Sequence, residues 1–437
     1  MRGFLASSIG VACSAALVLP LSLPSGAVAA VPPAPDLPGS TQSLRLAAIG
    51  GKTTNRSFSP AAEQGLTRRE VRPFSLVGVV WDDVHAELHG TVQVRTRAAG
   101  SGRWSGWQDI ETHNEEHGAD PGTAEGGSDR VRGSTVPLWV GSSDGVEVRV
   151  RAETAETAER VDEGEAAEPA PLPKGLRLEL VDPGQEPEPA SGSSRAVTYA
   201  SGKEDVLPAL SLAETEAQAG VSRTAALGLM AAAKPYIGPR PRIITRKGWG
   251  ASESLRERGF VYTKSVKAAF VHHSVTGNSY TCKQAPSVLR GIYRYHVVSS
   301  GWRDIGYNFA VDKCGNIYEG RAGGVAKAVL GAHTLGFNTN SMGIAVLGTY
   351  SRSTPAPAAV TAIAKLTAWK LGLFGANPRG KVVLKSGGSG KYKKGRKVTF
   401  NVISGHRDGF ITECPGSRLY SKLGTARSAS AKYQGRG

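Results

Sequence analysis

Three residues of this chain offer the donor set of a hydrolytic zinc site. His272 closes one apolar run, and His406 and Cys414 follow another, eight residues apart. Two imidazoles and a thiolate give zinc three protein ligands and leave the fourth position for water, which is how catalytic zinc sites differ from structural ones. Eight residues are enough for a loop to turn both side chains toward one ion, and Pro415 and Gly416 stiffen that loop. A lone histidine or cysteine is more often structural, so the spacing by itself favours packing over metal. No HExxH glutamate is present to act as a base.

The elements around these residues alternate in type. The pattern predicts strands over 268–272, 343–347 and 398–404, and a hairpin through 308–311 and 316–319. Helices are predicted over 286–299 and 358–373. In the first, Val288, Leu289, Ile292, Tyr295 and His296 recur at three- and four-residue spacing and Pro286 suits the opening turn. The expected fold for this half is α/β, a mixed sheet with flanking helices.

The N-terminal half reads differently. From Phe74 to Val181 short β-prone runs alternate, as in Val92, Val94 and Thr96 and again in Val146, Val148 and Val150, with Gly, Asp and Ser turns between them. An all-β sandwich is expected there, with 153–171 as an exposed acidic insertion. Trp104, Trp107 and Trp139 could form a sugar-stacking platform, although tryptophan in such a module is more often core. The expected division is a signal peptide over 1–29, a flexible lead-in over 30–70, the β module over 71–182, a linker over 183–239 with a helix from Leu210 to Ala232, the α/β domain over 240–425 and a basic tail over 426–437.

The first residues read as an export signal: Arg2, then an apolar run from Phe4 to Leu23, then Ala27-Val28-Ala29 as a small-residue cleavage site. An uncleaved anchor and, through Cys13, a lipoprotein are weaker readings. The expected location is therefore secreted, at the cell wall, with no membrane association after cleavage. There the net charge of +16, concentrated in seven basic residues between Lys381 and Lys397, meets anionic wall polymers rather than nucleic acid, or simply solvates a face. Removal of the signal leaves three cysteines, which suggests one pair and one thiol with another task.

From Ile243 to Leu423 the chain resembles the peptidoglycan recognition protein and type 2 amidase family, to which phage T7 lysozyme also belongs. The resemblance lies in eight segments in the family's order: Thr245-Arg246-Lys247-Gly248-Trp249-Gly250-Ala251, Phe270-Val271-His272-His273-Ser274, Trp302 to Phe309, Tyr318-Glu319-Gly320-Arg321, Gly331-Ala332-His333-Thr334, Asn340 to Ile344, Gly405-His406-Arg407-Asp408 and Cys414-Pro415-Gly416. It implies a mixed sheet with helices and a substrate groove over zinc. It implies His272, His406 and Cys414 as the metal ligands, Tyr307 as a catalytic residue, Thr412 at the position that is lysine in the phage enzyme, and His333 lining the groove. The implied reaction is zinc-dependent hydrolysis of the amide between N-acetylmuramic acid and L-alanine in peptidoglycan. Tyr307 would hydrogen-bond the water or assist proton transfer, and Thr412 would receive charge on the carbonyl oxygen.

His273 is expected to support its neighbouring ligand or to be a core residue, rather than to be a ligand itself, and His296 to be a satisfied core histidine. If Cys414 holds zinc, Cys282 and Cys314 are the thiols left to pair in an exported protein, the alternative being two unpaired thiols. Ala322-Gly323-Gly324 departs from the dipeptide by which animal recognition proteins distinguish stem peptides. A monomer is expected. Two rival readings are a non-catalytic peptidoglycan-binding wall protein, against which the intact ligand set argues, and a cysteine peptidase using Cys414, which lacks the helix start that activates a thiolate.

Overall fold

The computed structural model describes residues 39–49, 63–153, 171–185, 204–220 and 236–437. The expected export signal with Cys13, the expected acidic insertion and the second half of the helix expected to end at Ala232 lie outside these residues.

The N-terminal module is built on β1 (Ser40–Arg45), β2 (Ala47–Ala48), β3 (Glu63–Trp81), β4 (Gly90–Ala98), β5 (Gln108–Ile110), β6 (Gly133–Ser134), β7 (Leu138–Ala152) and β8 (Arg177–Asp182). They form one hydrogen-bonded set in the order β1-β8-β3-β7-β4-β5, with β2 and β6 also on β3. The alternation behind the all-β expectation is real: Val92 and Val94 of β4 and Val146, Val148 and Val150 of β7 are buried in one core with Phe74, Val77 and Val79 of β3. The strands of the module are joined through β3. This strand is long enough to pair with both β7 and β8, and its register with β7 breaks between Leu66 and Leu76; such bulges bend a strand.

The lead-in is not uniformly flexible. Its composition lacks a strand period, yet β1 pairs along its full length with β8, from Ser40 opposite Asp182 to Arg45 opposite Arg177. An edge that supplies backbone partners can order a segment with weak propensity of its own.

The C-terminal domain adds β9 (Val206–Leu207), α1 (Leu212–Gln218), β10 (Ile243–Ile244), β11 (Ala268–His273), α2 (Ala285–Arg294), β12 (Phe309–Val311), β13 (Ile317–Glu319), β14 (Ser341–Val346), α3 (Pro357–Gly372), β15 (Lys381–Lys385), β16 (Lys397–Asn401), β17 (Ile403–Gly405), α4 (His406–Gly409), α5 (Ser417–Tyr420) and α6 (Leu423–Tyr433). Its sheet runs β17-β11-β14-β12-β13-β10-β9. The first four strands are parallel, and β13 returns antiparallel to β12. The mixed α/β expectation holds. Two assignments differ: the linker contributes β9, besides α1, which lies inside the expected Leu210–Ala232 helix but ends at Gln218, and the basic tail forms most of α6, packed on α3 with Leu423 and Ala426 in the core. The basic stretch is a hairpin, β15 with β16, that buries Leu384, Val398 and Phe400 against Phe270 and Phe337.

Period-2 alternation places the site. Ala269 and Val271 of β11 face the core under α3, so His272 faces the opposite side, level with Ala345 of β14. That side is covered by α2, whose Val288, Leu289 and Ile292 pack with Tyr307, Ala310 and Ala345. The same cluster takes in Leu76, Val80, Trp139 and Val181 of the β module. The two halves therefore share one apolar core. The contact is tight: a methyl group on Gly78 would lie 2.4 Å from the Tyr295 hydroxyl, which itself donates toward Val79 O and Thr135 O.

Candidate metal centre

His272 lies near the end of β11, and β17 runs parallel beside it and hands directly into α4, so that His406 begins where the neighbouring strand stops. Their ring centroids are 4.5 Å apart. Cys414, on the loop after α4, brings its Sγ to 3.8 Å from His272 Nδ1. The three residues predicted as ligands thus meet, and all are buried.

A fourth donor comes from the other half of the chain. His117 sits on the long loop between β5 and β6, and its ring lies 4.7 Å from that of His406 and 5.4 Å from that of His272. The donor atoms of His117, His272, His406 and Cys414 all lie within 4.8 Å of one another. Both ring nitrogens of His117 are buried with no hydrogen-bond partner among the described residues, a costly state for a polar ring unless something else binds it. Three imidazoles and a thiol converging in a buried space are a donor set that fits zinc.

The surroundings hold the ligands in place. His272 Nε2 lies 3.3 Å from His333 Nδ1 and 3.4 Å from Thr334 Oγ1, which leaves Nδ1 to face the cysteine. His333 was expected to line the groove, but it is fully buried behind His272. Its ring needs Gly343, where a Cβ would fall 2.4 Å from His333 Cγ. His273 Nδ1 accepts a hydrogen bond from Tyr350 N, and His296 Nδ1 accepts one from Gly306 N. Neither ring belongs to the donor cluster, and both are buried.

Tyr307 is buried with its ring 5.4 Å from His272 and 5.9 Å from His117. Thr412 donates to Glu116 Oε1 at 2.9 Å, and its Oγ1 also accepts from Cys414 N at 3.1 Å. Cys282 and Cys314 form a disulfide, which joins the segment before α2 to the β12–β13 turn.

Burial sets the charge state. It lowers His272 and His406 well below the ordinary imidazole value, with the neighbouring imidazoles adding to the effect. Burial brings His117 down to about 3, and it pushes the Cys414 thiol and Tyr307 phenol well up. Neutral imidazoles are the ligating form, but the thiolate needs a cation beside it, as a bound metal supplies.

Glu116, His117 and Glu125 went unnoticed in the sequence, because no spacing ties the β5–β6 loop to ligands so distant in the chain. The tryptophan expectation is resolved in part. Trp139 belongs to the shared core. Trp104 and Trp107 line a cavity of about 690 Å³ with it, yet Arg68 stacks on Trp104 and Arg95 and Arg149 on Trp107.

Residues 262–417 match the N-acetylmuramoyl-L-alanine amidase family, and residues 32–172 match a family described as Rv3811 N-terminal galactose-binding domain-like. Peptidoglycan-recognition protein SC2 of Drosophila melanogaster is 34% identical over 185 residues, covering 42% of this chain and 85% of that protein. Human N-acetylmuramoyl-L-alanine amidase is 29% identical over 195 residues, covering 44% of this chain and 28% of that protein. Among solved structures, Drosophila PGRP-LB is 25% identical with a TM-score of 0.33, covering 42% of this chain and 92% of that one.

Proposed function

Because the chain belongs to the peptidoglycan recognition protein family, we propose that it is a zinc-dependent amidase that cuts the bond between N-acetylmuramic acid and L-alanine in bacterial peptidoglycan. The observation that carries this reading is the meeting of His272, His406 and Cys414 beside Tyr307. A receptor that only binds the polymer has no need of a buried thiol among imidazoles.

Zinc held by these residues supplies a Lewis acid for the amide carbonyl and lowers the pKa of its water. The chain does the rest. His333 and Thr334 fix the His272 ring. Tyr307 orients the attacking water and assists its proton transfer. Thr412 donates to the carbonyl oxygen as negative charge develops there. The basic β15–β16 hairpin and the export signal suit a secreted protein working as a monomer on anionic wall material.

The test is incubation of the zinc-loaded protein with peptidoglycan, alongside a His117→Ala form that lacks the fourth donor, followed by mass analysis of the soluble products. Free stem peptides beginning at L-alanine are expected. If both proteins sediment with walls and neither releases peptide, the protein is a binder and the amidase reading fails.

A further inference from the structure

We propose that His117 is a fourth protein ligand to the metal, and that the β5–β6 loop carrying it closes the site into a latent form. The inference rests on the zinc reading above and goes beyond it. A catalytic zinc keeps one position for water, whereas four protein ligands make a closed, structural type of site. Here the fourth donor comes from the β module rather than the C-terminal domain; its ring nitrogens have no hydrogen-bond partner among the described residues, and the nearest carboxylate, Glu116 Oε1, stays 3.8 Å from Nδ1.

The loop is fastened at points on both sides of His117. Before it, Asn114 Nδ2 donates to Ser134 Oγ at 3.0 Å. Glu116 accepts from Thr412 Oγ1 through its side chain and from Leu335 N through its carbonyl. After it, Asp120 Oδ1 accepts from Gly336 N at 2.8 Å and from Asn338 Nδ2 at 2.7 Å. Glu125 takes both terminal nitrogens of Arg321 at 2.8 Å, in a pair buried on both sides. Such two-pronged charged contacts are among the stronger and more directional ones available to side chains.

The consequence is steric as well as electronic. Under this loop His272, His333 and His406 have no exposed surface, and Cys414 and Tyr307 keep only a few per cent. A glycan strand with a stem peptide cannot reach donors so covered, since ligand sites are concave and open to their ligand. Outside the loop lies a cavity of about 320 Å³ bordered by His113, His117, Trp302 and Phe410, which gives the loop space to withdraw while β3 and β7 stay packed on α2. Opening would release the His117 ring nitrogen and leave its place to a water molecule, while His272, His406 and Cys414 would still hold the metal. No oxidant or co-reactant is needed.

The test uses the mature protein stripped of metal and reloaded with cobalt(II), whose visible spectrum reports coordination and thiolate ligation. The wild-type spectrum is expected to show a thiolate-bound, four-coordinate ion that titrated azide leaves unchanged. In His117→Ala the open position should admit azide, giving a saturable spectral shift. Glu125→Gln keeps His117 but loosens the loop, and an intermediate response is expected; it also serves if His117→Ala folds poorly. On a small soluble muropeptide, a form closed about 90% of the time or more runs about tenfold or more below its open counterpart, so zinc-loaded His117→Ala should be faster by that factor. A wild-type spectrum that already shifts with azide overturns the proposal, as does a His117→Ala rate below wild type. If the wild type takes up no cobalt at all, the zinc reading falls first.

Discussion

Thr412 Oγ1 donates to the buried carboxyl group of Glu116 at 2.9 Å, so the hydroxyl proposed to meet charge on a substrate carbonyl already holds a residue from the other half of the chain. Burial, with Glu115 nearby, raises Glu116 to about 8. Burial thus favours the uncharged carboxyl group, and the contact ties Thr412 to the β5–β6 loop.

Thr412→Val separates these two roles. In a His117→Ala background the substitution should lower kcat by about 10²–10³-fold, the usual loss when one donor to a developing oxyanion is removed. Zinc content should stay the same. An unchanged kcat at full metal loading would reduce Thr412 to a fastening point for the loop.

Removal of any one of the three ligands from the catalytic domain should empty the site. His272→Ala, His406→Ala and Cys414→Ser are each expected to lose stoichiometric zinc and all turnover, measured by metal analysis on folded protein. Cys414→Ser should also lose the thiolate-to-cobalt absorption. Stoichiometric zinc with full activity in Cys414→Ser would refute the ligand assignment.

Tyr307→Phe keeps the ring that packs with Ala310 and Ala345 and removes only the hydroxyl. Fold and zinc should be unaffected while the rate falls by about 10²–10⁴-fold, the range for general acid–base assistance. The same rate at the same metal content would make Tyr307 a packing residue.

Because Leu76, Val80 and Trp139 share a core with Leu289 and Ile292, the β module and the catalytic domain should unfold together. Calorimetry is expected to show one transition, and Leu289→Ala should lower stability by about 2–5 kcal/mol, as core truncations do. Two separate transitions, with only one moved by Leu289→Ala, would show that the shared core does not couple the halves.

The Cys282–Cys314 disulfide closes a sequence separation of 32 residues. The double Cys282→Ser, Cys314→Ser protein should therefore lose about 3–4 kcal/mol in the chain-entropy view of cross-links. Urea unfolding at equal zinc content measures it; a loss under about 1 kcal/mol would mean that the reduced chain is already ordered there.

Much of this protein was determined by local pattern. Alternation in β4, β7 and β11 and the three- and four-residue repeat in α2 depend only on which face of an element is apolar, and they fixed the classes of both halves. The motif order from Ile243 to Leu423 fixed which histidines and which cysteine belong together. What only the tertiary structure decided is pairing across the chain. Strand β1 is ordered because β8 offers it an edge, and His333 lies behind a ligand rather than in a groove because Gly343 leaves space there. His117 reaches the metal donors because a shared core clamps the β module onto α2 and aims the β5–β6 loop across His406. Nothing in the neighbourhood of His117 marks it in advance. A donor contributed from another module is specified by how two surfaces pack, and that complementarity is spread over distant residues rather than written in any spacing.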